Sequence, residues 1–106
     1  MSGYIEIEVG DLQSMLASSK IQLVDVRNDD EVARGMIPGA AHIPLALLPL
    51  KYESLNGDDA LVFYCYSGLR SAQAAAFIVN KGRKNVYNLR GGVLAWGKAD
   101  LPFGQK

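Results

Sequence analysis

Leu61-Val62-Phe63-Tyr64-Cys65-Tyr66-Ser67-Gly68-Leu69-Arg70-Ser71 changes character at its middle. Its first four residues are apolar without alternation, the mark of a strand buried on both faces. After Arg70 the chain turns alanine-rich, with Ala72, Ala75, Ala76 and Val79 at helical spacing and Gly82 as a stop. That pattern predicts a helix over 71–81. A short loop carrying Gly68 lies between strand and helix. Cys65, the only cysteine among 106 residues, therefore sits at the carboxyl end of a strand and faces the positive end of a helix.

A free thiol titrates near pH ~8.5, and a helix N-terminus or a neighbouring cation lowers that value. Both are expected here, the cation being Arg70. Gly68 lets the loop curl tightly. The backbone N–H groups of Tyr66, Ser67, Gly68, Leu69 and Ser71 are then expected to converge as an anion-binding cradle. Such a cradle stabilises a thiolate or a persulfide, and an ionised nucleophile needs no general base. Cys65 is the expected nucleophile and Arg70 its electrostatic support, with Tyr66 and Ser67 lining an open entrance. Ser71 has a second reading as a helix N-cap. Most free cysteines are small buried hydrophobes; the placement between strand and helix argues for chemistry instead.

Outward from this segment, strands and helices alternate. Tyr4-Ile5-Glu6-Ile7-Glu8-Val9 alternates apolar and acidic residues, as an edge strand does. Leu12, Met15 and Leu16 mark a short amphipathic helix. A mostly buried strand is predicted over 21–26, a short helix over 28–34, a turn at 35–39 and a short strand over 40–43. The segment 44–52 reads as helical, complicated by Pro49. Asn56-Gly57-Asp58-Asp59 is a surface turn. A last strand is predicted over 86–89, and Gly91-Gly92 opens a final helix carrying Trp96. Alternation with doubly buried strands predicts an α/β fold with a mainly parallel sheet, whose active site lies at the carboxyl ends of the strands.

Composition narrows the function. A chain of 106 residues is read as one domain over 1–106. Eleven basic and eleven acidic residues cancel, leaving no basic field for nucleic acid or anionic lipid. A single cysteine excludes an internal disulfide and a Cys-x-x-Cys site. It suits a reducing compartment. The start MSGYIEIEVGD lacks the features of a signal peptide, and no apolar run is long enough to span a membrane. A cytoplasmic location follows as the expectation.

The loop Cys65-Tyr66-Ser67-Gly68-Leu69-Arg70-Ser71 resembles the active-site loop of the rhodanese (thiosulfate sulfurtransferase) family, Cys-x-x-Gly-x-Arg-Ser. Three other segments agree. Leu23-Val24-Asp25-Val26-Arg27, followed by Glu31, is similar to the family's Asp-x-Arg…Glu element. Gly35-Met36-Ile37-Pro38-Gly39-Ala40-Ala41-His42-Ile43-Pro44 matches its Gly-His-Ile-Pro-Gly-Ala-x-x-Ile-Pro element, except that Met36 replaces a histidine. Leu89-Arg90-Gly91-Gly92-Val93-Leu94-Ala95-Trp96 matches its Leu-x-Gly-Gly-x-x-x-Trp ending. The resemblance spans the chain and implies a five-stranded, mainly parallel sheet with helices on both faces. It implies a double displacement: Cys65 takes a sulfane sulfur from a donor such as thiosulfate, rests as a persulfide, and passes the sulfur to cyanide or a thiol. No cofactor or metal is implied. The expected partners are a small anionic donor and a thiol or cyanide acceptor, including the thiol of another protein reaching an exposed site.

Related loops serve phosphatases and arsenate reductases, but a phosphatase cradle has five residues between cysteine and arginine. Here four intervene, and no loop residue offers the general acid that a phosphatase needs. A dithiol oxidoreductase lacks its second cysteine. A non-catalytic binding module of the same fold is the rival from another class; such modules typically lack the cysteine or the arginine, both of which are present. Asp25, Arg27 and Glu31 read as a structural ion-pair cluster under the site, and His42 as a structural residue. Met36 and Trp96 read as packing. The pattern leaves open whether Arg90 or Arg27 helps to hold an anion at the site.

Overall fold

The computed structural model describes residues 3–105; Met1, Ser2 and Lys106 of the expected domain lie outside the described residues. Five strands form one sheet: β1 (Ile5–Ile7), β2 (Ile21–Asp25), β3 (Ala41–His42), β4 (Ala60–Tyr64) and β5 (Val86–Leu89). Their order is β1-β5-β4-β2-β3, and every pairing is parallel. β4 takes the centre, with Val62 opposite Leu23 of β2 and Phe63 opposite Asn88 of β5.

The central position explains the unbroken apolar run. Strand side chains alternate between faces, and here each face has its own core. Leu61, Phe63 and Cys65 pack with Ala74, Ala75 and Ile78 of α4 (Leu69–Asn80) and with Leu48 of α3 (Leu48–Lys51). Val62 and Tyr64 pack with Leu12 of α1 (Val9–Ser18) and Trp96 of α5 (Gly92–Lys98). The short α2 (Asp29–Val32) follows β2 and buries Val32. The fold is thus α/β, with a parallel sheet covered by helices on both faces. Among the described residues no helix is long and apolar enough to cross a membrane.

β2, α2 and β3 are each shorter than the sequence reading, and three further differences have a local cause. β1 stops at Ile7 because Glu8 becomes the N-cap of α1, its N–H donating to Asp11 Oδ2 at 2.9 Å in a reciprocal cap. The segment over 44–52 is not one helix. A 3-10 turn at Leu45–Leu47 leads into α3, and a second follows at Tyr52–Leu55; Pro49 falls in the first turn of α3, where its missing N–H leaves no bond unmade. The third difference matters most. α4 starts at Leu69 rather than near Ser71, because Gly68, at φ 108°, takes the N-cap position.

Candidate active site

Cys65 leaves β4 with its side chain on the α4 face, directly beneath the first turn of that helix. Three donors reach its Sγ: the Gly68 N–H at 3.1 Å, the Ser71 N–H at 3.4 Å and the Ser71 hydroxyl at 3.4 Å. Burial pushes the thiol up, but the Ser71 hydroxyl and the N–H groups of Ser71, Gly68 and Ser67 outweigh it and hold the thiol below its ordinary range. Ser71 is therefore the third residue of the helix and not its N-cap; its hydroxyl is turned to sulfur. The amides of Tyr66 and Leu69 make no hydrogen bond to Sγ. Their side chains are exposed, Tyr66 by 49% and Leu69 by 76%, and frame the loop from outside.

The thiol does not stand in an open entrance. Cys65 is only 1% exposed, because the sulfur follows the strand's alternation into the core face and the loop closes over it. Sulfur meets polar donors on the loop side and hydrocarbon on the sheet side.

The outer wall of the loop is held by a second helix start. Val93 N–H donates to the Cys65 carbonyl at 2.9 Å and Leu94 N–H to the Tyr66 carbonyl at 3.1 Å. With their carbonyls engaged by α5, these peptides leave their opposite edges to the interior. The contact is close enough that a Cβ on Gly92 would lie 2.3 Å from the Cys65 carbonyl oxygen. The Gly91-Gly92 pair is thus required for docking as well as for turning, with both residues at positive φ.

Arg70 does not point at the sulfur. Its Nη1 and Nη2 donate to Glu31 Oε1 and Oε2 at 2.7 and 2.8 Å, a bidentate pair joining α4 to α2. The Arg70 guanidinium, with a smaller contribution from the Asn28 N–H, holds the Glu31 carboxyl down to about 2. Arg70 still senses charge on Cys65 at a distance. The rest of the acidic element lies beneath. Asp25 is fully buried and takes Arg27 Nη2 at 2.7 Å and Arg27 Nε at 3.0 Å. Arg27 Nη2 also reaches the Gly35 carbonyl at 2.7 Å. The Ile37 N–H donates to Tyr64 Oη at 2.9 Å, and burial next to Asp25 raises the Tyr64 phenol. His42 Nε2–H donates to the Arg27 carbonyl at 2.7 Å, a structural use of the one histidine. Arg90 turns outward to Glu8 at 2.6 Å. Met36 is buried and exchanges two backbone hydrogen bonds with Gly104. Trp96 is buried against the sheet, its Nε1 donating to the Pro102 carbonyl.

Residues 8–99 match the family profile of the rhodanese-like domain. The chain belongs to the rhodanese-like family. A "Sulfurtransferase" of Allochromatium vinosum is 42% identical over 99 residues, covering 92% of each chain. A human "Thiosulfate:glutathione sulfurtransferase" is 33% identical over 110 aligned positions, covering 91% of this chain and 96% of that one. The crystal structure of a rhodanese-like domain protein from Staphylococcus aureus superposes with a TM-score of 0.87 at 35% identity, covering 96% of this chain and 98% of that one. Relatives of matching length that are sulfurtransferases support a sulfurtransferase role. In this rhodanese fold the four quoted segments meet at one edge of the sheet, with the cysteine loop in their middle. Sequence reasoning passed over Asn88 and Glu6. Asn88 Nδ2 donates to the Gly68 carbonyl at 3.2 Å and to both carboxylate oxygens of Glu6. The only signal was a polar residue inside the strand predicted over 86–89.

Proposed function

We propose that the protein moves a sulfane sulfur from a small anionic donor such as thiosulfate to a thiol, or to cyanide in the assay, through a persulfide on Cys65. The convergence of the Ser71 hydroxyl, Ser71 N–H and Gly68 N–H on one sulfur carries this reading. The Cys65 thiolate attacks the outer sulfur of thiosulfate; the S–S bond of the donor breaks and sulfite departs with the electron pair. The persulfide's terminal sulfur then inherits the amide donors' field. An acceptor thiolate attacks that sulfur, a new S–S bond forms on the acceptor, and the Cys65 thiolate is restored. Cyanide does the same with formation of thiocyanate.

A cavity of about 240 Å³ beside the loop gives reactants a place to approach; Arg27, Glu31, Arg34, Tyr66, Val93 and Phe103 contribute to its walls. Arg27 and Glu31 each face a partner of opposite charge, so Arg34 is the lining charge that suits an anionic donor, and the apolar side chains suit the organic part of an acceptor. Arg70 acts as a fixed distant charge that also anchors the loop. The test is intact mass before and after thiosulfate. One sulfur atom should be gained, retained on the peptide that contains Cys65, and lost on adding cyanide with release of thiocyanate. Folded protein that gains no sulfur from thiosulfate, a polysulfide or glutathione persulfide would overturn the proposal.

A further inference from the structure

Asn88 is a polar residue where the strand pattern calls for hydrocarbon. It shares its face of β5 with Val86, a core residue under α4. It is only 2% exposed. Its Oδ1 is buried with no hydrogen-bond partner among the described residues, an arrangement that lowers stability and asks for a reason. Its Nδ2 supplies one. That group donates to the carbonyl of Gly68 at 3.2 Å, the residue whose own N–H meets Cys65 Sγ at 3.1 Å. Glu6, on the neighbouring β1, accepts from the same Nδ2 at 3.0 and 3.2 Å and so fixes the amide's orientation. The same carbonyl also accepts the first hydrogen bond of α4, from the Ala72 N–H at 3.2 Å, so Asn88 is the side-chain half of a two-point hold on a residue whose φ of 108° only glycine adopts freely.

We propose that Asn88 is a positioning residue for the nucleophile: its amide, oriented by Glu6, holds the Gly68 carbonyl and so fixes the Gly68 backbone torsions that keep the N–H of the preceding peptide aimed at the Cys65 sulfur. This rests on the reading of Cys65 as a thiolate nucleophile and extends it to a strand that touches no reactant. A buried amide kept for stability would have satisfied both ends; this one satisfies only the end that faces the loop.

The test is Asn88→Val, which removes the donor without adding charge, with Asn88→Ala as a second variant in case valine crowds the helix. Neither alters the charges around the thiol, namely Arg70 on α4 with its partner Glu31 on α2, Glu6 on β1, and Arg90 on β5 with its partner Glu8. The expected result is an upward move of the thiol's ionisation midpoint, read by thiolate ultraviolet absorbance. With it should come a fall in transfer rate at neutral pH of about threefold to tenfold, closing at alkaline pH. Thermal stability should be held or raised, since the unpaired Oδ1 is gone. Variants that lose stability but keep the wild-type ionisation midpoint would show a merely structural residue and overturn the inference, as would variants that change neither. The absorbance titration needs no turnover, so it decides this question even if no sulfur donor loads the protein.

Discussion

Ser71 gives one sulfur two of its hydrogen bonds, from N–H and from hydroxyl. Only the hydroxyl can be removed by substitution. Ser71→Ala should raise the thiol's ionisation midpoint and cut transfer at neutral pH about threefold to tenfold, with the loss vanishing where both proteins are fully ionised; a pH–rate profile checks this. The same depressed thiol makes a stability statement. A group whose folded-state pKa is lowered adds stability above its unfolded value, and loses it as pH falls through the folded one. Wild type should therefore gain stability over Cys65→Ser between neutral and alkaline pH, measured by urea unfolding, while Cys65→Ser has no sulfur transfer at any pH. A flat difference would mean that the folded thiol is no more acidic than the unfolded one. Cys65, Gly68 and Ser71 were legible because the loop is local: strand end, glycine and helix start lie within seven positions. The partner of Arg70 was not. Glu31 is 39 positions away and Glu6 lies 82 from Asn88, and no local spacing reports such pairings. The burial of the thiol was also hidden, since alternation assigns Cys65 a face only once the strand's register is known.

At the scale of elements, the loop is a bracket between two helix starts. α4 aims N–H groups inward at sulfur, and α5 takes the carbonyls from outside. Gly92→Ala would put a methyl 2.3 Å from the Cys65 carbonyl oxygen and 2.8 Å from that of Tyr66, at a φ of 52°. Backbone would have to give. We expect a cost of about 2–4 kcal/mol and transfer reduced at least about a hundredfold, since a displacement of roughly 1 Å has that effect on reacting geometry. Wild-type kinetics in a folded Gly92→Ala protein would show that α5 does not shape the loop. The Glu31–Arg70 pair ties α2 to α4 from the other side. Glu31 falls from an ordinary 4.5 to about 2, so its contribution is present above 4.5 and disappears as pH drops toward 2. Glu31→Gln should cost about 1–2 kcal/mol at neutral pH, allowing for the partial exposure of both side chains, and the gap to wild type should close on acidification. Element order and type could be read from periodicity. The broken segment between β3 and β4 could not, because Pro49 is compatible with a helix start as well as with a break.

For the whole molecule, the site is possible because the sheet's two cores meet at its carboxyl edge. On the α4 side the edge ends in the sulfur; on the α1 and α5 side it ends in Tyr64 and the Asp25–Arg27 pair. Asp25 is fully buried and Arg27 nearly so, and together they bind the end of β2, the Gly35 carbonyl and, through Tyr64, the Ile37 amide. His42 joins β3 to the same point through the Arg27 carbonyl. A buried ion pair adds little over a well-packed apolar pair, but removing one partner strands the other charge in a low-dielectric interior, at about 3–5 kcal/mol. A domain of this size has only about 5–15 kcal/mol in total. Asp25→Asn keeps the shape and removes the charge that Arg27 needs. It should lower the melting temperature by at least roughly 10 °C, with Trp96 fluorescence and far-ultraviolet dichroism falling together, because the pair fastens the carboxyl edge at which the two cores meet. If fluorescence were lost well before dichroism, the α5 face would be separable from the rest. The pair would then be a local fastening of the loop region, and the shared edge would not be what makes the fold cooperative.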